Sequence, residues 1–247
     1  MKVLVCISQV PDTVAKIVLK DNNTTIDESG ITFIINPYDE WYALIRALEL
    51  KETGAADAVH LITVGRANTE PVIRKALALG GDEAIRIDAD SNDAYVIANY
   101  IAQYARSENY DLVLCGKESI DYANGAVGPM LAELLDIDFI GFATDIKLTG
   151  QTATVKREID GGEETNSANL PLVISCQKGV AEARIPNMRG IMAARTKPLK
   201  TIAPAFIQPV STVAYYELPP AKSGVKLIAA DQMDELVSLL HAEAKVI

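Results

Sequence analysis

Asp111-Leu-Val-Leu-Cys115-Gly-Lys-Glu-Ser-Ile-Asp-Tyr-Ala-Asn-Gly125-Ala-Val-Gly-Pro-Met-Leu-Ala-Glu-Leu-Leu135 decides the fold. Asp111–Cys115 carries a short apolar run, Leu112–Cys115, with no polar alternation, the pattern of a strand buried on both faces. Gly116–Gly125 reads as a loop. Val127–Leu135 then reads as a helix, with Pro129 tolerated in its first turn. A buried strand feeding a loop and a helix is one unit of an alternating parallel architecture.

Moving outward, the same alternation repeats. Upstream lie a helix over Asn92–Arg106, capped by Ser91 or Asn92, and a short strand over Glu83–Ile87. Before them come a helix over Glu70–Leu79, stopped by Gly80-Gly81, and a strand over Ala58–Val64. Trp41, Leu44, Ile45 and Leu48 step by three and four, which makes Asp39–Lys51 an amphipathic helix. Lys2–Ser8 is strand-like. Ile17–Leu19 and Ile31–Ile35 flank turn residues as a hairpin insertion. The expected fold class is therefore α/β: a mostly parallel sheet with helices on both faces, carrying β-hairpin insertions.

Downstream, Thr152–Glu158 alternates as a strand, Asp160-Gly161-Gly162 supplies a turn, and Leu170–Cys176 is a β-branched run, together a second hairpin. The texture changes near Pro198, beyond which prolines 204, 209, 219 and 220 interrupt any period. Only Asp231–Ala244 recovers a helical stripe, Met233, Leu236, Val237 and Leu240, behind an Asp231 cap. Ile202, Phe206, Ile207, Val210, Val213, Tyr215 and Tyr216 make the extension too apolar for a disordered tail. We divide the chain into an α/β domain, residues 1–197, and a carboxyl-terminal arm, residues 198–247, expected to pack on another subunit.

Bulk properties remove several function classes. A net charge of −10 argues against nucleic acid or an anionic membrane as the main partner. Three scattered cysteines and two histidines supply no zinc site, iron–sulfur ligand set or disulfide framework, which points to a reducing, cytoplasmic setting. The amino-terminal apolar run is too short for a signal peptide, and none is long enough to span or insert in a bilayer. No nucleophile–base set is visible, so no catalytic residue is assigned. Neither a Gly-x-Gly-x-x-Gly turn nor a Walker loop occurs.

One loop has the physics of an anion site. Leu112–Cys115 delivers the chain to the carboxyl edge of the sheet, where open α/β folds bind ligands. Gly125 allows close backbone approach, and the amides of Gly125, Ala126 and Val127 would face a phosphate at a helix start. Glycines also occur at such turns without a ligand. Glu118 and Asp121 would repel phosphate if they pointed inward; a ribose contact suits Asp121 better. A second candidate is Asn36-Pro37-Tyr38-Asp39, whose plain reading is a helix entry. The third is Ala183–Arg195, where basic residues interleave with methionines. It reads equally as a docking patch for an acidic partner or as a loop with solvated arginines.

Val155-Lys-Arg-Glu-Ile-Asp-Gly-Gly-Glu-Glu-Thr-Asn-Ser-Ala-Asn-Leu-Pro-Leu-Val-Ile-Ser175 resembles the signature of the electron-transfer flavoprotein beta subunit, with Asn166 where an aliphatic residue is usual. Val10-Pro11-Asp12, Asn36-Pro37, Ala76–Glu83, Gly116-Lys117-x-x-Ile120-Asp121 and Gly190-Ile191-Met192 fall in the order of that family along the whole chain.

The resemblance implies a non-enzymatic carrier. It would form a heterodimer with an alpha subunit that holds most of a shared FAD, and would itself bind AMP. On that pattern AMP meets Cys6, Asn36, Pro37, Tyr38, Asp39, Val64, Gly116, Lys117, Ile120, Asp121, Asn124, Gly125, Ala126 and Val127. Asp12, Thr13 and Tyr38 are candidates for reaching the flavin. Residues 181–197 resemble a recognition loop for acyl-CoA and related dehydrogenases of fatty acid oxidation. Met188 stands at its anchor position, with Arg184, Arg189, Ile191 and Met192 around it. Glu158 matches a carboxylate suited to pair with an arginine of the flavin domain. Electrons would leave toward a membrane quinone reductase. Two departures stand out: Ala126 replaces a usual glutamine, and the lysine run after the loop is thinned to Ala193-Ala194-Arg195-Thr196-Lys197. An electron-bifurcating relative with a second FAD in place of AMP is the rival expectation, against which bulky Tyr122 speaks. A stand-alone adenine-nucleotide signalling module is another, against which the long arm speaks.

Overall fold

The computed structural model describes residues 1–221 and 224–247. Strands β1 (Lys2–Cys6), β2 (Gln9–Pro11), β3 (Leu19–Lys20), β4 (Thr25–Ile26) and β5 (Phe33–Ile35) precede helix α1 (Glu40–Glu52). Then follow β6 (Ala58–Val64), α2 (Glu70–Leu79), β7 (Glu83–Ile87), α3 (Ala94–Glu108), β8 (Leu112–Gly116) and α4 (Val127–Leu135). A long strand β9 (Asp138–Thr149) leads into β10 (Thr152–Ile159), β11 (Gly162–Asn169) and β12 (Leu172–Cys176). The chain ends with α5 (Met188–Ala194), β13 (Leu199–Ile202) and α6 (Met233–Leu239), the last continued by a π-helical turn at Leu240–Ala244.

Nine strands form one sheet in the order β11-β10-β9-β12-β8-β1-β6-β7-β13. From β9 to β13 every neighbouring pair is parallel, and β10 and β11 extend that sheet as antiparallel strands. The α/β class and the parallel sheet are as the sequence predicts. Side-chain alternation explains why the central strands read as uninterrupted apolar runs. Val3, Val5, Leu112 and Leu114 point into a core shared with α1 and α2. Leu4, Cys6, Val113 and Cys115 point into a second core shared with α3 and α4. Both faces are covered, so neither parity needs polar residues. No described helix is long and apolar enough to cross a membrane.

Four local expectations are corrected. The second hairpin pairs β10 with β11, not with Leu170–Cys176; register runs from Thr152 opposite Asn169 to Ile159 opposite Gly162. The polar segment is itself the edge strand, its exposed residues alternating with half-buried ones. The apolar run is β12, which pairs in parallel with β8 and needs apolar residues on both faces. The first insertion is two ribbons, β2 with β5 and β3 with β4. The cap of α3 is Asp93 rather than Ser91 or Asn92: its Oδ1 accepts from the amides of Tyr95 (2.8 Å) and Val96 (3.3 Å). Asp231 caps nothing, since α6 starts at Met233 with Gln232 in the cap position. The arm's first strand, β13, hydrogen-bonds to β7 and closes one edge of the sheet.

Candidate functional site

Along the chain β1 is followed by β6 and β7 on one side, and the chain later returns to place β8 on the other. Connections leaving β1 and β8 therefore diverge and open a crevice at the carboxyl ends of these strands. A cavity of about 840 Å³ occupies it, a volume usual for a small-molecule site. Cys6, Val64, Gly116, Lys117, Ile120, Asp121, Asn124, Gly125, Ala126 and Val127 all line it.

Asn36, Pro37, Tyr38 and Asp39 do not line the cavity; Asn36 and Asp39 are buried behind its loop, and Tyr38 is exposed. The Asn36 amide donates to the Glu118 carbonyl (2.6 Å), and the Glu118 amide donates to Asp39 Oδ2 (3.1 Å). This pins the loop after β8 to the entry of α1. Burial pushes the Asp39 carboxyl up. Position 116 must be glycine for the same reason. A Cβ there would stand 2.7 Å from Glu40 Cγ and 3.1 Å from Asp39 Cβ. The main chain also ties back through the Lys117 amide to the Cys176 carbonyl (2.8 Å). Lys117 Nζ is 2.8 Å from Glu118, a hydrogen bond that raises its pKa and spends its charge locally.

Glu40 is the residue that sequence reading missed. As an acid in a first helical turn it looks like an ordinary partner of the helix dipole. It instead lies buried against the cavity, with Oε2 accepting from the Ser8 amide (2.5 Å) and Oε1 2.8 Å from the Ser8 hydroxyl. Burial pushes its pKa from 4.5 up to about 8, so the carboxyl holds its proton at neutral pH. That removes one negative charge from a wall that also carries Asp12, Glu28, Asp90, Glu118 and Asp121, against the cations Arg66 and Lys117. Arg66 pairs with Asp90 at 2.6 Å. Cys6 and Cys115 follow the register pair Val5–Leu114 on adjacent strands. The neighbouring Cys115 thiol, with burial, keeps Cys6 protonated.

At α4 the chain turns sharply: Ala123 (φ +48°) and Gly125 (φ +56°) are both left-handed. The Ala126 amide, expected free, donates to Asn124 Oδ1 (3.3 Å). The amides of Gly125, Val127 and Gly128 have no partner among the described residues. Asp121 Oδ1 accepts from the neighbouring Tyr122 amide (2.9 Å), which turns it back on its own loop. Gln9 Oε1, also buried and without a partner among the described residues, belongs to a side chain of the cavity wall. Asp12 and Thr13 line the outer cavity. Sequence reading also missed Val213 and Tyr216, which reach the cavity from the arm with no local signal in their own segment.

The other named residues sit elsewhere. Glu158 lies on β10, with the Gln177 amide 3.5 Å away. Arg184 is a bidentate partner of Glu52 (2.6 and 3.0 Å), and its carbonyl accepts from Trp41 Nε1 (3.2 Å), so it fastens the loop to α1. Past it, Met188 is 72% exposed, Ile185, Ile191 and Met192 are exposed as well, and Arg189 pairs with no carboxylate among the described residues. α5 seats tightly on the end of α2, where any Cβ at Gly190 would overlap the Ala78 carbonyl.

Comparison with known proteins agrees with this architecture. A family model described as an electron transfer flavoprotein domain matches residues 23–207. The chain is 38% identical to the electron transfer flavoprotein subunit beta of Bacillus subtilis (strain 168), with 100% of both chains covered. It is 39% identical to the subunit beta of Syntrophomonas wolfei, covering 92% of this chain and 90% of that one. Identity is 34% to the mitochondrial subunit beta of Oryza sativa subsp. japonica, again over 100% of both. With a diverging-strand cavity of this form and relatives aligned from end to end, the chain belongs to the electron transfer flavoprotein beta-subunit family.

Proposed function

We propose that this chain is the non-catalytic, nucleotide-holding subunit of a heterodimeric electron transfer flavoprotein. It binds AMP in the cavity between β1 and β8, docks donor dehydrogenases through residues 181–197, and pairs with an alpha subunit that holds most of the FAD. The complex then passes electrons to a membrane quinone reductase from the cytoplasm. The observation that carries the reading is the helix mouth at Gly125–Gly128, with three unpaired amides opening on an 840 Å³ cavity. An anion belongs there and not deeper, because the remaining walls carry carboxylates and both cations are already paired. Gln9 Oε1 adds an unpaired acceptor for an adenine amino group or a ribose hydroxyl.

FAD supplies the redox chemistry when the complex holds it; this chain supplies orientation and docking. Cys6, Asn36, Asp39, Val64 and Gly116–Val127 shape the AMP site. The exposed Met188, Met192 and Arg189 form a flexible, basic-edged surface for dehydrogenases. Arg184 holds that surface in place, and Glu158 remains the acid offered to the flavin domain. Phe206, Tyr215, Val225 and Leu227 of the arm are exposed apolar side chains that an alpha subunit would cover. The test is purification of the complex, denaturation and chromatography of released nucleotides. One AMP and one FAD per heterodimer is the expected result. Two FAD and no AMP would move the protein to the bifurcating branch, and the absence of any adenine nucleotide would overturn the assignment.

A further inference from the structure

Residues 210–216 of the arm run along the cavity wall and are fastened toward both ends, to α3 and to the turn between β3 and β4. At one end, Asp93 Oδ2 accepts from the amides of Val210 (2.7 Å) and Ser211 (2.6 Å), while Oδ1 caps α3. Toward the other end, the Tyr216 amide donates to the Asn23 carbonyl (2.7 Å) in the turn between β3 and β4. The Tyr216 phenol lies 3.0 Å from the phenol of Tyr122, on the loop that leads into the mouth of α4. Between these fastenings Val213 and Tyr216 line the cavity. Tyr122 is part of the same wall.

We infer that Tyr216, held by the Asp93 clamp and by the Tyr122 hydroxyl, is a gate that retains the bound nucleotide. The inference rests on the AMP reading and adds the arm to the site. A ligand leaves when residues 210–216 lift, and lifting them breaks the two Asp93 bonds, the Asn23 bond and the phenol pair together. Such a strap slows exchange without contributing a contact to the phosphate. The phenol pair makes the two tyrosines a single latch, so removing either hydroxyl removes the whole interaction.

The experiment follows release of radiolabelled AMP from the purified complex after a chase with unlabelled AMP. Tyr216→Ala should accelerate release tenfold or more. Tyr122→Phe, Tyr216→Phe and the double variant should each accelerate it by the same factor, about three- to tenfold for one hydrogen bond. These phenylalanine variants keep the ring packing, so folding is not at risk. Asp93→Asn should also accelerate release, because its amide can still cap α3 through oxygen but turns a donor toward Val210 and Ser211. Release unchanged within twofold in Tyr216→Ala, or multiplying effects in the phenylalanine pair, overturns the gate while the AMP reading stands. A wild-type complex with no AMP at all overturns that reading, and the gate with it.

Discussion

Replacing Glu40 with glutamine should make the protein more stable, and increasingly so as the pH rises. The folded carboxyl titrates near about 8 against an ordinary value of 4.5 because it is buried, with Ser8 its hydrogen-bonding partner. Below pH 4.5 both the folded and the unfolded chains hold the proton, and the site costs nothing. Above it the unfolded chain releases a proton that the folded chain keeps. Stability then falls by about 1.4 kcal/mol per pH unit until the folded carboxyl ionises near 8, and it is flat beyond. The full loss is about 4–5 kcal/mol, of order half the stability of an ordinary domain. Glutamine is isosteric with the protonated acid: its oxygen accepts from the Ser8 amide and its nitrogen donates to the Ser8 hydroxyl. Urea unfolding of both proteins at pH 5 and pH 8.5 isolates the site, because every other titration is common to them. The variant should gain under about 1 kcal/mol at pH 5 and about 4 kcal/mol at pH 8.5. A difference that stays constant between the two pH values, or a less stable variant at pH 8.5, refutes the claim that Glu40 is buried as a neutral acid.

Other perturbations test separate parts of the structure. Burial pushes the Asp93 carboxyl up, but the amides of Ser211, Val210, Tyr95 and Val96 outweigh it and leave it lowered. Its bonds are therefore intact above the ordinary carboxylate range and lost as the pH falls through the lowered value. Hydrogen exchange of Val210 and Ser211, corrected for the intrinsic rate, should show protection falling on acidification, and Asp93→Asn should remove it already at neutral pH. Gly116→Ala should cost about 1–3 kcal/mol in urea unfolding, because the added methyl meets Glu40 and Asp39. Leu114→Ala, at a side chain buried between the sheet and α1, should cost about 2–5 kcal/mol. Met188→Ala should leave the unfolding midpoint within about 0.5 kcal/mol of wild type while weakening electron transfer from a donor dehydrogenase, which separates docking from folding.

Elements with a clean local period were legible. Ala58–Val64, Glu70–Leu79, Glu83–Ile87 and Val127–Leu135 were placed to the residue, since burial on one helical stripe or on both strand faces imprints directly on the residue order. The β10–β11 hairpin was misread because a polar edge strand lacks the apolar signature, while the neighbouring apolar run carries it for a different pairing. The α3 cap was misplaced because Ser91, Asn92 and Asp93 are all acceptable by type. What selects Asp93 is a second carboxylate oxygen needed by an arm 117 residues away. The loop into α4 was legible because a glycine turn at a strand–helix junction has a local cause. Its amide at Ala126 was not, because the competing acceptor is the side chain of Asn124.

The sequence by itself determined the class of fold and the edge of the sheet that holds the cavity. Val3–Val5 and Leu112–Leu114 are apolar at both parities, and only a strand covered on two faces requires that. Tertiary structure alone decided which groups share the cavity and in what state of charge. Glu40 is neutral because it is buried beside Gly116 and Ser8, and Tyr216 faces Tyr122 because Asp93 and Asn23 hold the arm. Such arrangements depend on residues brought together from distant segments. No period or spacing within a segment encodes them, because their energy arises from desolvation and hydrogen bonds that form only once the sheet is assembled.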